Sequence, residues 1–127
     1  MRILLDTHTL IWHAAQSSEL GETARRIIAS PDNEIVVSVA SFWEMAIKAG
    51  LGKLKVDRPL SDYHLAYKRM NATILPVLME HSLAVEKLPL HHRDPFDRLL
   101  IAQGITEELL LLSRDAVFDR YPVTRIW

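Results

Sequence analysis

The chain has 127 residues, 15 Lys+Arg against 16 Asp+Glu, and no cysteine. A hydrophobic fraction of 49% and a charged fraction of 24% describe a folded domain of ordinary size and argue against intrinsic disorder. The absence of cysteine excludes disulfide scaffolds, zinc ribbons, thiol nucleophiles and iron–sulfur sites, and a net charge of −1 argues at first against a nucleic-acid partner, because such domains are usually basic.

The apolar run 2–5 stops at Asp6 and predicts a buried strand. One Arg and so short a run do not make a secretory signal, and no stretch approaches the roughly 20 residues of a membrane span. A cytoplasmic protein without membrane contact is therefore expected. Residues 7–15 and 22–29 carry helical spacing, and Ser30-Pro31-Asp32-Asn33 is a turn cluster. The β-branched run 34–37 predicts a second strand, followed by a helix that Ser38 can cap and Gly50 or Gly52 can end. Residues 53–59 read as irregular and 60–70 as helix. Residues 72–77, with Pro76, read as a short or edge strand. A short helix over 80–88 ends at Pro89, and His91-His92-Arg93 is loop. Asp94-Pro95 opens a helix to about Ile105, 109–112 is an apolar strand, and 123–127 is a marginal last one.

No repeat or linker divides the chain, so a single domain over 1–127 is expected. Strands alternating with helices predict an α/β fold, a mostly parallel central sheet flanked by helices. In such sheets ligands bind at the carboxyl ends of the strands. Asp6 and Asp115 fall at such ends, Glu44 lies in the helix after the second strand, and Asp94 and Asp97 open a late helix. Each has a bland alternative. Asp6 and Asp94 are good helix caps, Ser41-x-x-Glu44 fits a capping box, Asp97 suits a helix dipole and Asp115 a turn. Convergence in one pocket changes the weighing. Several anions in a partly buried site repel one another, and Mg²⁺ or Mn²⁺, which prefer oxygen ligands, would relieve them. A carboxylate-held divalent cation suits phosphodiester hydrolysis.

Four segments in register resemble the PIN-domain ribonucleases, specifically VapC-like toxins of type II toxin–antitoxin systems. They are Leu4-Leu5-Asp6-Thr7, residues 37–44 ending in Glu44, the run 92–103 around Asp94-Pro95-Phe96-Asp97-Arg98, and Leu112-Ser113-Arg114-Asp115. The resemblance implies a PIN-like three-layer domain. It implies a metal-dependent endoribonuclease whose Mg²⁺ (or Mn²⁺) site is lined by Asp6, Glu44, Asp97 and Asp115. Asp94 serves there through an outer-shell water or as the helix cap, and Thr7 and Ser113 are supporting hydroxyls; Ser113 stands where many relatives carry Thr. It further implies an RNA substrate, a cognate antitoxin protein and a homodimer.

Arg93, Arg98 and Arg114 adjoin the proposed ligands and are expected to contact RNA phosphate. Arg25-Arg26 and Lys68-Arg69 read as solvated faces. His91-His92 reads as a surface pair or an RNA-backbone contact, and His8 and His13 as no ligand pair. Trp12, Trp43 and Trp127 read as core or oligomer contacts rather than base-stacking platforms. Two other functions fit parts of the pattern. A non-catalytic protein-interaction module would use the acids only as caps. An aspartyl-nucleophile phosphatase would start from Asp6-Thr7-His8-Thr9 but has His8 where its second Asp is needed. A receiver-type signalling domain lacks its paired acids. The near-neutral charge also reads differently once about a quarter of the acids are assigned to a metal pocket.

Overall fold

The fold is described from a computed structural model covering residues 1–127. Strand β1 (Arg2–Leu5) lies at the centre of the sheet. Its Ile3, Leu4 and Leu5 are wholly buried, as expected of a parallel strand covered on both faces. It pairs on one side with β2 (Glu34–Ser38), Ile3 opposite Ile35, and on the other with β4 (Leu110–Leu112), Ile3 opposite Leu110. Strand β3 (Thr73–Leu75) borders β2, and β5 (Arg125–Ile126) borders β4. All five strands are parallel, in the order β3-β2-β1-β4-β5. Strand β3 is an edge strand, as Pro76 predicts, and it is shorter than the run 72–77.

Strand alternation sends side chains into two apolar layers. Ile3, Leu5, Ile35, Val37 and Leu112 pack with Leu10 of α1 (Thr7–Ala14), Ala24 and Ile28 of α2 (Glu22–Ala29), Met45 of α3 (Val39–Gly50), and Tyr63 and Tyr67 of α4 (Leu60–Arg69). Leu4, Val36 and Leu111 point the other way, against Leu100 and Ile101 of α6 (Pro95–Thr106), Phe118 and Tyr121. Helix α5 (Met79–Glu86) packs along α6. The result is the expected three-layer α/β arrangement. Two 3₁₀ turns, Ser18–Leu20 and Ala116–Arg120, were not anticipated. Each is one short turn, too brief to carry a periodic signal. No helix is long and apolar enough to cross a membrane.

The caps decide where polar groups sit. Ser38 caps α3, its hydroxyl accepting from the Ala40 N–H at 3.0 Å. Glu44 is therefore not part of a capping box, and its carboxylate is free for other partners. The order of the strands puts the switch point between β1 and β4, where the connections leave in opposite directions and a crevice opens.

Candidate metal centre

Two strand ends build the floor of the crevice. Asp6 follows β1, its N–H bonded to the Leu112 carbonyl at 3.2 Å. Its carboxylate caps α1 through the Thr9 N–H at 2.7 Å and accepts the Ser113 hydroxyl. Ser113 in turn accepts the Asp115 N–H at 3.0 Å, so one buried hydroxyl ties Asp6 to the loop that carries Asp115. Asp115 caps the turn 116–120 through the Val117 N–H at 3.0 Å, and its side chain is half exposed. The caps expected of Asp6 and Asp94 are thus real, and they fix the carboxylates toward the crevice. A carboxylate oxygen with one hydrogen bond still has a lone pair to offer.

Helix α3 supplies the second wall. Glu44 is 2% exposed. Its Oε1 accepts the Thr7 hydroxyl at 2.6 Å and its Oε2 the Lys48 ammonium at 2.5 Å. The Ser41 hydroxyl lies 3.0 Å from the same Thr7 oxygen. Lys48 Nζ also stands 3.9 Å from Asp94. Burial pulls the Lys48 ammonium down, but the Glu44 hydrogen bond and the charges of Glu44, Asp94 and Asp97 outweigh it and raise its pKa. Lys48 stayed unnoticed in sequence. The signal was available, since a Glu–Lys pair four apart shares a helix face.

The start of α6 is the third wall. Asp94 caps it, Oδ1 accepting from Phe96 N at 2.9 Å and Asp97 N at 3.0 Å. Asp97 accepts no aligned hydrogen bond. Burial first, then the charges of Asp94, Glu44, Asp6 and Asp115, push its carboxyl up to about 8. All five acids therefore meet in one electrostatic neighbourhood. His92 joins them, which corrects its assignment as a surface group. Its Nε2 lies 2.9 Å from Asp97 Oδ2 and 3.6 Å from Asp115 Oδ2, and the three residues form a compact donor group. The Nδ1 atom accepts the Asp94 N–H at 3.2 Å. A neutral imidazole with an accepting Nδ1 carries its proton on Nε2. His92 thus turns an N–H edge to the acids, and that buried nitrogen has no aligned partner.

The three arginines part company. Arg98 turns inward and donates to the carbonyls of Val85, Leu88, Pro89 and His92 at 3.0–3.3 Å. It staples the α5–α6 connection, so its guanidinium is spent, contrary to the phosphate contact expected of it. Arg93 is exposed. Arg114 borders a cleft with Asp6, His8, Trp12 and Asp115. His13 is held by Tyr67, Nδ1 to hydroxyl 3.0 Å, and burial lowers its pKa, with a further push from Arg25. Trp12 and Trp127 pack against the core as expected, whereas Trp43 is 58% exposed and meets Phe96 edge-on.

The carboxylates fit a hard divalent cation. They are oxygen donors, they converge, and no Lys or Arg pairs with the Asp97 carboxyl, whose proton a bound cation would displace. A parallel sheet with an acidic oxygen-donor pocket at its switch point defines the class: an α/β domain with a candidate divalent-metal centre. The PIN domain model matches residues 3–123; the chain belongs to the PIN domain family.

Solved structures agree on the fold. The chain is similar to VapBC2 from Rickettsia felis bound to a DNA fragment from its promoter, with a TM-score of 0.71 and 16% identity over 99% of this chain and 98% of that one. A toxin–antitoxin complex from Klebsiella pneumoniae gives 0.66 and 16%, over 98% and 96%. FitAcB from Neisseria gonorrhoeae gives 0.63 and 17%, again over 98% and 96%. Comparison with curated protein sequences gives no significant match.

Proposed function

We propose that this chain is a divalent-metal-dependent endoribonuclease and the toxin of a toxin–antitoxin pair. The observation that carries the enzymatic assignment is the convergence of Asp6, Asp97 and Asp115 at the β1–β4 switch point, with Glu44 and Asp94 close enough to act on Asp97. Asp6, Asp97 and Asp115 would hold Mg²⁺ or Mn²⁺, with Glu44 as the acid facing them from α3. Bound there, the ion supplies Lewis-acid stabilisation of a phosphodiester and a source of nucleophilic water. The chain's own groups do the positioning. Ser113 and the Thr9 N–H hold the Asp6 carboxylate in one orientation, and Thr7 and Lys48 hold Glu44. Asp94 organises the start of α6, and Arg93 and Arg114 stand near the site to meet RNA. An aspartyl-nucleophile phosphatase is less well supported. His8 takes the place of the second acid that such a mechanism needs.

The biological role is supported by a structural neighbour described as a toxin–antitoxin complex, together with the VapC-like sequence resemblance. We extend to this chain a protein antitoxin as partner, a homodimer as assembly, and the cytoplasm as the place of action. Exposed apolar side chains, among them Trp43, Met79, Leu83 and Leu90, offer surface for such contacts. The test is cleavage of a mixed-sequence single-stranded RNA with Mg²⁺, Mn²⁺ or EDTA, by the wild type, Asp6→Asn and Asp97→Asn. Cleavage that needs the metal and both acids is expected. Equal cleavage by all three proteins, or activity that survives EDTA, would overturn the assignment.

A further inference from the structure

The cleft beside the acids has a wall that metal binding does not use. It holds about 320 Å³ and is lined by Asp6, His8, Trp12, Arg114 and Asp115, at the small end of ligand pockets. Two of its five lining residues belong to the acidic centre. The other three form a continuous cationic and aromatic surface. The Arg114 guanidinium carbon sits 4.5 Å over the Trp12 ring. The exposed His8 ring lies 5.6 Å from the same indole, tilted by 41°. Trp12 is itself buttressed by Trp127, at 6.1 Å edge-on.

Arg114 is held in a way that says what it offers. Its Nη1 is paired with Glu19 Oε2 at 2.6 Å, and one face covers Trp12. An arginine that grips phosphate presents its donor edge, two parallel N–H groups at a time. Here part of that edge is committed to Glu19 and the guanidinium is laid against an indole, while the side chain remains half exposed. What it has left to give the cleft includes its outer face. Unpaired nucleobases stack on arginine planes and on aromatic rings, and bases in a duplex are not available for this.

We propose that this cleft is a nucleobase subsite, in which an unpaired base next to the scissile phosphate stacks on Arg114 and against His8, with Trp12 as the backing and Glu19 as the anchor. This rests on the ribonuclease assignment above and narrows it to single-stranded or looped RNA. It also changes the part expected of Arg114 from phosphate contact to stacking plane.

The test uses two cleavage-resistant probes of equal charge: a 2′-O-methyl RNA octamer and an abasic phosphodiester octamer of the same length. Binding is read by fluorescence anisotropy for the wild type, Arg114→Lys and His8→Ala, with thermal melts to confirm folding. Wild type should prefer the base-bearing octamer roughly tenfold. Arg114→Lys keeps the charge and loses the plane, so it should hold the abasic octamer as well as wild type while losing most of the preference. His8→Ala should lose part of it. Equal binding of both octamers by wild type overturns the subsite, as does an unchanged preference in Arg114→Lys. So does a uniform loss on both probes in that variant, which would mark a phosphate contact. Metal-dependent cleavage by wild type, measured in parallel, separates the two claims. Cleavage without base preference removes the subsite alone, and base preference without cleavage removes the nuclease assignment and overturns the subsite's place beside a scissile phosphate, leaving only a base-binding cleft.

Discussion

The two walls of the acidic pocket are built on opposite principles. On the α3 wall, Glu44 is buried and answered: a hydroxyl takes one oxygen and an ammonium the other. On the α6 wall, Asp97 is buried and unanswered, facing a neutral imidazole edge and four other carboxylates. Each wall presents a buried carboxyl to the same crevice, yet one is self-sufficient and the other is short of positive charge. A folded protein tolerates an uncompensated buried anion only at a cost. The difference locates where an external cation has something to gain, and it separates acids that hold the pocket together from the acid that calls for a ligand.

Substitution at the unanswered wall should have the largest effect. Asp97→Asn is expected to lower metal-dependent RNA cleavage by about a hundredfold or more, because it removes a proposed ligand of the ion that would supply the Lewis-acid chemistry. Mn²⁺ is expected to raise the melting temperature of the wild type and to leave that of Asp97→Asn unchanged. Undiminished Mn²⁺ stabilisation in this variant would place the cation elsewhere.

The same wall should govern pH dependence. The Asp97 carboxyl titrates near 3.8 in an unfolded chain and at about 8 in the fold. Between those values the folded state keeps a proton that the unfolded state has lost. Metal-free stability should therefore fall as pH rises from about 4 to 8, by up to about 1.4 kcal/mol per unit from this group, and level off above that. Below pH 4 both states are protonated and the cost vanishes. Urea unfolding in EDTA at pH 5 and pH 8 measures the slope, and Asp97→Asn should flatten it. A wild-type slope that survives the substitution would mean that another group carries it.

On the answered wall the expectation reverses. Lys48→Met leaves Glu44 buried with one partner fewer, and should destabilise the metal-free protein by about 2 kcal/mol, less than a fully buried broken pair because Lys48 is partly exposed. The same change removes the pocket's internal counter-ion, so divalent affinity by calorimetry should increase. A fall in affinity would show that the two walls do not compete for charge.

Much of this contrast was visible in the residues, and the hidden part has a physical reason. Asp6, Glu44, Asp94, Asp97 and Asp115 drew attention because strand ends, caps and turn residues leave local marks, whereas the choice of Asp6, Glu44, Asp97 and Asp115 as the ligand set rests on the resemblance to the PIN family. Thr7 and Ser113 came from the same resemblance, as hydroxyl positions beside the acids. Two things were not legible. Whether Asp97 is compensated depends on three elements distant in sequence, β1, α3 and the β4 loop, and no local pattern reports that. The fate of an arginine is equally non-local. Arg98 and Arg114 look alike beside their acids, yet one turns under α5 and the other lies on Trp12. The α/β class and the parallel sheet, by contrast, follow from strands alternating with helices, which is why the fold class was the most readable layer, while the strand order came only with the structure.

Arg98 therefore offers a control from outside the pocket. Arg98→Ala removes the staple from four carbonyls and should cost about 2 kcal/mol, in line with charge-assisted hydrogen bonds in a partly exposed site. The KM for RNA should stay the same at temperatures where the variant is folded. A raised KM with intact stability would return Arg98 to the substrate.

His92 is the finest discriminator, because it touches the unanswered wall and could serve it in two ways. If its Nε2 were a metal ligand, His92→Ala would cost about tenfold or more in Mn²⁺ affinity, on the scale of losing a supporting ligand group. The hydrogen-bond pattern argues otherwise. Nδ1 accepts the Asp94 N–H, so a neutral ring keeps its proton on Nε2 and has no lone pair to give there until that bond is broken. His92→Ala should accordingly leave Mn²⁺ affinity within about threefold of wild type while costing about 1 kcal/mol for the lost backbone partner. His92→Gln can accept the Asp94 N–H and should recover part of that stability. An affinity loss that Gln fails to restore would convert His92 from a brace for the α6 terminus into a further group on the cation, and the two walls would then differ in ligand type as well as in charge.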